Sequence, residues 1–402
     1  MSKSLERASG DRRRTLWVAK NFAQPGHGDY EFEKAVWDLF AANGDIKINR
    51  GFSYDRGRRP GDAGIHSQLE LGIGWLERHE KIINESGANK VRAFTPLQIL
   101  EYDGPVVAKI DNVERGEGKY LIRSPEDKLH IAAFSLLKAD VIDDIYTDPD
   151  IDRRYQRLAD LFEKIKRGEI DGPEFIGKGS WRSFTFEQYI QTPSDRFTSF
   201  RIVADSFGYS HSALLLYSST TKEDAMSKVR DLSSSSKKAR LYDLYLLDPE
   251  SPFYIPTPSI VSNHSMGGGQ INFLYSEAVS EEQAEIQQNI LKAHGFDLNN
   301  PKLPEHLLVH AKDLGWRFGQ EYIFTGLDFI MDAQTGKFYL LEMNSRSMVD
   351  PEDIGLSPDT YTSDQAGIEL LKRIKEEMMQ SRISPPPTSE SQLLRKQRGL
   401  TK

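Results

Sequence analysis

Two pairs of short apolar segments, each joined by a glycine-containing turn, most constrain the fold of this chain. The first pair covers 105–110 and 119–123, and the second covers 322–331 and 337–343. Apolar and β-branched residues on both sides of such turns predict two antiparallel hairpins. The chain has 402 residues, which is long enough to form two or three lobes with separate cores.

The remaining segments predict an α+β protein with a small α/β domain in front. A strand, a Pro/Gly turn and an amphipathic helix follow one another over 15–42. The middle of the chain is expected to be mostly antiparallel sheet, with strands at 183–190, 198–205 and 212–217. Amphipathic helices are expected at 69–83, 125–138, 151–167, 281–294, 304–314 and 363–379.

Composition excludes several classes of protein. The chain has no cysteine, which removes disulfides, thiolate nucleophiles and cysteine-based zinc sites. No apolar run reaches the roughly 20 residues that span a bilayer, and no secretory signal is recognisable, so we expect a cytoplasmic protein without a membrane partner. The net charge of −8 argues against a general nucleic-acid partner. Local arginine clusters at 12–14 and 50–59 leave two readings open: contact with phosphates or an acidic substrate, and the more common solvated surface.

The first hairpin carries residue types that bind phosphate. Lys109 lies inside the apolar strand, where burial without an anionic partner would be costly, so we expect its amine to meet a phosphate or a carboxylate. The alternative is a lysine on an edge strand that points to water. Gly116, Gly118 and Lys119 follow in the turn, and glycines let backbone amides approach phosphates closely. Most glycine-containing hairpin turns have no ligand, so the glycines alone do not distinguish a phosphate-binding loop from an ordinary turn.

The second hairpin carries three potential oxygen ligands for a metal ion. Glu342 and Asn344 share one face of their strand because side chains alternate, and Asp328 on the neighbouring strand can converge with them. Two carboxylates and an amide oxygen suit Mg²⁺, which commonly bridges nucleotide phosphates. The alternative is a polar hairpin face that only contacts water.

The succession of these motifs resembles the ATP-grasp superfamily over roughly residues 75–350. The resemblance implies two α+β lobes that close over ATP, with Mg²⁺ or Mn²⁺ as the metal. In chain order it implies a disordered tail (1–14), an N-terminal α/β domain (15–90), a small lobe with the glycine loop (91–190), a large lobe with the metal site (191–380) and a second disordered tail (381–402). The strand at 186–190 resembles the hinge between the lobes of that superfamily.

The resemblance also implies roles for individual residues. Nucleotide contacts fall on Lys90, Lys109, Gly116, Gly118, Lys119, Glu187, Gln188, Tyr189, Ile190 and Asp195. Metal ligation falls on Asp328, Glu342 and Asn344. The catalytic roles fall on Arg201, which would steady the transferred phosphoryl group, and on Lys109, which would contact the nucleotide phosphates. Gly267 and Gly268 lie where the superfamily carries a substrate loop, and Arg346 is expected to bind a substrate carboxylate.

These assignments predict a ligase that uses ATP and Mg²⁺ to activate a carboxylate and join it to an amine, with release of ADP and phosphate. The expected partners are small-molecule carboxylate and amine substrates, with amino acids or peptides preferred, and a second copy in a homodimer. Two alternatives stay open: a small-molecule kinase, and a regulatory or assembly protein that binds ATP without turnover. No general base is assigned, because histidines in loops, such as His211 and His264, are commonly incidental.

Overall fold

The computed structural model describes most of the chain from residue 73 to residue 380 and short segments before it. The described residues are 14–18, 34–35, 38–39, 46–50, 73–110, 119–170, 184–218, 220–223, 259–260, 269–272, 280–318, 324–344, 349 and 351–380. The strands are β1 (Arg14–Val18), β2 (Ile46–Arg50), β3 (Asn89–Lys90), β4 (Ala93–Phe94), β5 (Val106–Ile110), β6 (Lys119–Ile122), β7 (Phe184–Gln188), β8 (Thr198–Asp205), β9 (Ser210–Tyr217), β10 (Ser259–Ile260), β11 (Gly269–Asn272), β12 (Phe324–Met331) and β13 (Phe338–Asn344). The helices are α1 (Ile73–Ser86), α2 (Pro96–Glu101), α3 (Pro125–Leu136), α4 (Ala139–Tyr146), α5 (Ile151–Lys166), α6 (Glu281–Ala293), α7 (Glu305–Phe318) and α8 (Ser363–Gln380).

The N-terminal strands β1 and β2 form a parallel pair, with Arg14 opposite Ile46. Parallel neighbours need a crossover connection, which is usually helical. Residues 34–35 and 38–39, which lie in this connection, are helical. The strand and the helical residues agree with the sequence pattern. The predicted tail at 1–14 overlaps β1 at Arg14, and its other residues and the tail at 381–402 lie outside the described residues.

The first sheet has the order β10-β6-β5-β7-β4, and all its neighbours are antiparallel. Helices α3, α4 and α5 supply the apolar side chains of its core, which include Phe134 and Phe162. Helix α3 begins at Ser124, whose hydroxyl accepts a hydrogen bond from the N–H of Asp127 at 3.0 Å, with Pro125 as the first helical residue. The predicted hairpin of β5 and β6 is thus confirmed as part of a larger sheet.

The second sheet has the order β11-β9-β8-β12-β13-β3 and is antiparallel except for the pair β13 and β3. Helix α7 packs against β8 and α1 packs against α7. Gly315 permits this close approach, because a Cβ atom there would lie 2.7 Å from the Cβ of Ala204. Side chains from α1, α6 and α7 and from the strands form one core under the sheet.

Two of the places where the chain crosses between the two sheets are neighbours. It passes from β3 in the second sheet to β4 in the first, and it passes back from β7 to β8. The N–H of Gln188, at the end of β7, donates to the carbonyl of Arg92 on the other crossing at 2.8 Å. The two crossings therefore lie side by side. None of the described helices combines the length and the apolar character that a membrane crossing requires.

Candidate nucleotide and metal site

Lys109 is buried in the middle of the first sheet. It lies on β5, between β6 and β7, and its side chain is 6% exposed. The ammonium donates to Oε2 of Glu187, which is 3% exposed, at 2.5 Å. The alternative of a water-facing lysine on an edge strand is therefore wrong. The expected anionic partner is present within the protein, and it is the carboxylate of another residue assigned to the nucleotide site.

The register of the first sheet explains this contact. Lys109 lies opposite Thr185 on β7, and Glu187 is two residues further along the same strand. Residues two apart on a strand share a face, so Lys109 and Glu187 form a diagonal pair on one face of the sheet. On its other side Lys109 lies directly opposite Lys119 of β6. The register therefore places two lysines and one glutamate from the nucleotide assignments on neighbouring strands.

The segment between β7 and β8, residues 189–197, connects the two sheets and is called the linker below. The N–H of Tyr189 donates to the carbonyl of Pro105 at 3.2 Å, so the linker begins bonded to the first sheet. The carbonyl of Gln191 accepts from the N–H of Ala333, in the turn between β12 and β13, at 2.7 Å. The attachment changes from the first sheet to the second within these few residues, around the buried Ile190.

Arg201 and Asp328 form a bidentate ion pair in the second sheet. They lie directly opposite each other on β8 and β12. Nε and Nη2 of Arg201 donate to Oδ1 and Oδ2 of Asp328, both at 2.6 Å. Arg201 is 22% exposed and Asp328 is 5% exposed. Two parallel bonds between a guanidinium and a carboxylate fix both the position and the orientation of the pair.

The register between β12 and β13 places the three residues assigned to the metal on neighbouring strands. Asp328 lies opposite Glu342, Gly326 lies opposite Asn344, and the register shifts between Asp328 and Phe329. Carboxylate and amide oxygens are the donors that Mg²⁺ prefers, so these residue types fit the metal. The side chains of Glu342 and Asn344 lie outside the described part of the structure. Among the side chains that are described, no three His, Asp or Glu residues are grouped as a metal site.

Two other residues assigned to the nucleotide lie on other elements, β3 and the linker. Lys90 is on β3, at the edge of the second sheet, and its ammonium contacts Oε1 of Glu80 on α1 at 2.6 Å. Asp195 is exposed in the linker. The structure thus places Lys90 and Lys109 in different sheets, and the nucleotide roles of Lys90 and Asp195 stay predictions.

The remaining assigned residues can be placed only in part. His211 contacts Oδ2 of Asp205 through Nε2 at 2.7 Å, beside the turn between β8 and β9. The other positions lie outside the described residues: Gly116, Gly118, His264, Gly267, Gly268 and Arg346.

Lys222, which the sequence analysis missed, lies against the linker. Its ammonium donates to the carbonyls of Thr192 at 2.9 Å and Ser194 at 2.6 Å, and its backbone N–H donates to the carbonyl of Asp195 at 2.7 Å. Burial lowers the pKa of Lys222 to about 8, and the nearby charge of Asp195 offsets part of this shift. No motif surrounds Lys222 in the sequence, so only the fold identifies it.

Comparisons with known proteins find similarity at the level of structure. No family model matches the chain, and no curated protein matches it by sequence. The RiPP-associated ATP-grasp ligase of Chryseobacterium gregarium, solved with ADP and a leader and core peptide, is 10% identical with a TM-score of 0.35, over 93% of this chain and 78% of that one. D-alanyl-alanine synthetase A of Vibrio cholerae is 11% identical with a TM-score of 0.32, over 91% of this chain and 98% of that one. Biotin carboxylase of Campylobacter jejuni, in a complex with β,γ-ATP, is 12% identical with a TM-score of 0.32, over 92% of this chain and 61% of that one.

The predicted α+β class is confirmed by the two large sheets and the helices packed on them. The Chryseobacterium gregarium protein is described as an ATP-grasp ligase, and ATP-grasp is the superfamily that this sequence resembles.

Proposed function

We propose that this chain is an ATP-grasp ligase. It uses ATP with Mg²⁺ or Mn²⁺ to activate a small-molecule carboxylate as an acyl phosphate and joins the acyl group to an amine, with release of ADP and phosphate. Amino acids or peptides are the preferred substrates. A cytoplasmic location and a homodimer stay predictions.

The observation that best supports the proposal is the pair of lysines in the first sheet. Lys109 and Lys119 lie directly opposite each other on β5 and β6. Glu187 contacts Lys109 within the same group. Two lysines on neighbouring strands of one sheet face suit the binding of a polyanion such as the ATP phosphates.

The second sheet supports the proposal through the residues around Arg201. Asp328, Glu342 and Asn344 would hold the metal, and a bound magnesium ion would balance the charge of the nucleotide phosphates. Arg201 is bonded to Asp328 and is partly exposed, so its guanidinium lies beside an assigned metal ligand. A guanidinium in this position suits the equatorial oxygens of a phosphoryl group during transfer.

The proposed reaction has two steps. In the first, a carboxylate oxygen of the substrate attacks the γ-phosphorus and the bond from this phosphorus to the ADP oxygen breaks. Lys109 would balance charge on the nucleotide and Arg201 would steady the phosphoryl group as it transfers. In the second, the amine attacks the acyl carbon, phosphate leaves, and the proton of the amine passes to solvent.

The test is simultaneous detection of ADP and free phosphate with purified protein, Mg²⁺-ATP, and pools of amino acids, peptides and other carboxylates. Two variants accompany the wild type. Glu342→Ala removes an assigned metal ligand, whereas Lys337→Ala changes an exposed residue at the start of the same strand pair and serves as the matched control. We expect both products to appear only with substrate, to persist in the control, and to be lost in Glu342→Ala.

Each other outcome would point to a different function. ADP without free phosphate would contradict the ligase and identify a kinase that transfers the phosphoryl group to a hydroxyl. Binding of ATP without turnover in any pool would contradict both enzymes and favour a regulatory or assembly protein.

A further inference from the structure

The linker is bonded to the second sheet by a segment that follows β9. The N–H of Ser218 donates to the carbonyl of Phe197 at 2.9 Å, and a guanidinium nitrogen of Arg196 donates to the carbonyl of Ser218 at 3.0 Å. Residues 218 and 220–222 therefore lie alongside the linker. Lys222 lies at the end of this segment and contacts the middle of the linker, at residues 192–195.

Lys222 donates hydrogen bonds to three backbone carbonyls of the linker. The carbonyls of Thr192 and Ser194 both accept from its ammonium, and the carbonyl of Asp195 accepts from its backbone N–H. Hydrogen bonds from a charged donor are stronger than neutral ones, more so where the donor is mostly buried. These bonds hold the linker backbone in one conformation directly before Asp195.

The side chain of Asp195 is exposed although its backbone is fixed. An exposed carboxylate on a rigid backbone can accept hydrogen bonds from a ligand with little loss of conformational entropy. The surrounding hydroxyls stabilise the same backbone, because Thr192 and Ser194 both donate to the carbonyl of Arg196, at 3.1 and 2.9 Å.

We propose that Lys222 is a positioning residue, which fixes the linker so that Asp195 is presented to the ribose hydroxyls of the bound nucleotide. This inference rests on the proposed function, since it deepens the same nucleotide site. Lys222 acts through the linker backbone and does not contact the nucleotide.

The experiment measures the affinity of the full chain for Mg²⁺-ADP by calorimetry. Lys222→Met keeps the length of the side chain and removes its charge and donors, and Lys292→Met is the matched control on the exposed face of α6. We expect the dissociation constant to rise about tenfold in Lys222→Met, as for the loss of a charged hydrogen bond, and to stay unchanged in Lys292→Met. With substrate present, the KM for ATP should rise while kcat changes much less.

A double-mutant cycle with Asp195→Asn distinguishes positioning from a general structural role. If Lys222 acts through Asp195, the Lys222→Met effect should largely disappear in the Asp195→Asn background. Effects that simply add would overturn the inference, and so would unchanged affinity in Lys222→Met. Should Lys222→Met fail to fold, Lys222→Arg takes its place in the cycle, with an expected rise of about threefold because a guanidinium matches the two carbonyls less well.

The two proposals fail in different ways in this experiment. Absence of ADP binding by the wild type would overturn the proposed function and the inference together. Binding by the wild type with unchanged affinity in Lys222→Met would overturn only the positioning role.

Discussion

Each of the two large sheets joins neighbouring antiparallel strands through an ion pair, but the two pairs differ in burial and geometry. In the first sheet, Lys109 and Glu187 are 6% and 3% exposed and make one contact of 2.5 Å. In the second, Arg201 is 22% exposed, Asp328 is 5% exposed, and two bonds of 2.6 Å join them. Both pairs include residues assigned to the ATP site from the sequence.

This difference in burial predicts different roles for the two ion pairs. Removal of one partner from a fully buried pair leaves an uncompensated charge in a medium of low polarity, which is strongly destabilising. A partly exposed guanidinium keeps water near its charge and can change partner at a smaller cost. We therefore expect the first pair to matter more for folding, and the second to matter more for ligand binding and catalysis.

The largest expected effect is that of Lys109→Met on stability. The substitution leaves Glu187 buried without its cation, so the free energy of unfolding should fall by about 3–5 kcal/mol. Urea unfolding followed by circular dichroism measures this loss. The double variant Lys109→Met with Glu187→Leu removes both charges and should recover much of it, whereas a double variant as unstable as the single one would show that lost packing is the cause.

A smaller loss of stability and a large loss of turnover are expected for Arg201→Gln. Asp328 loses two charged hydrogen bonds to a partly exposed guanidinium, which should lower the free energy of unfolding by about 1–3 kcal/mol. Turnover, measured as phosphate release, should fall on the order of 100-fold if the guanidinium stabilises the transferred group. The variant Arg201→Lys should recover little of the lost turnover, because an ammonium cannot form the same bidentate pair with Asp328. A stability loss larger than that of Lys109→Met would reverse the comparison.

The smallest expected effect concerns the helices that cover the first sheet. His130 on α3 bonds the hydroxyl of Tyr146, and burial, followed by the charge of Arg154, lowers the pKa of His130 to about 3 from 6.5. As the pH falls from about 6.5 to about 3, the unfolded chain takes up a proton at His130 and the folded chain does not. The free energy of unfolding of the wild type should therefore decrease as the pH falls through this range.

The variant His130→Gln cannot take up this proton, so its stability should depend less on pH in the same window. Urea unfolding of the wild type and the variant at about pH 7 and about pH 4 compares the two slopes directly. Equal slopes would show that protonation of His130 does not cause the loss of stability at low pH.

The longer elements of both sheets could be predicted from the sequence, whereas the short ones could not. The strand expected at 198–205 is β8 as observed, and the second hairpin, β12 with β13, differs from expectation by two residues or fewer at each end. The strands β3 and β4 have two residues each, which is too few to show a period. Their positions depend on distant partners, because β3 pairs with β13 and Asn89 donates to the carbonyl of Phe338, which is 249 residues away.

The sequence by itself determined the α+β class, the two hairpins and the residue types of the candidate site. These follow from side-chain periodicity and turn chemistry, which are properties of neighbouring residues. Only the tertiary structure decided that Lys109 pairs with Glu187, that Arg201 pairs with Asp328, and that Lys222 holds the linker. The paired residues are 78 and 127 positions apart, and contacts at such separations depend on which strands become neighbours and in which register. That choice is made by the packing of two whole sheets against their helices, and no local pattern encodes it.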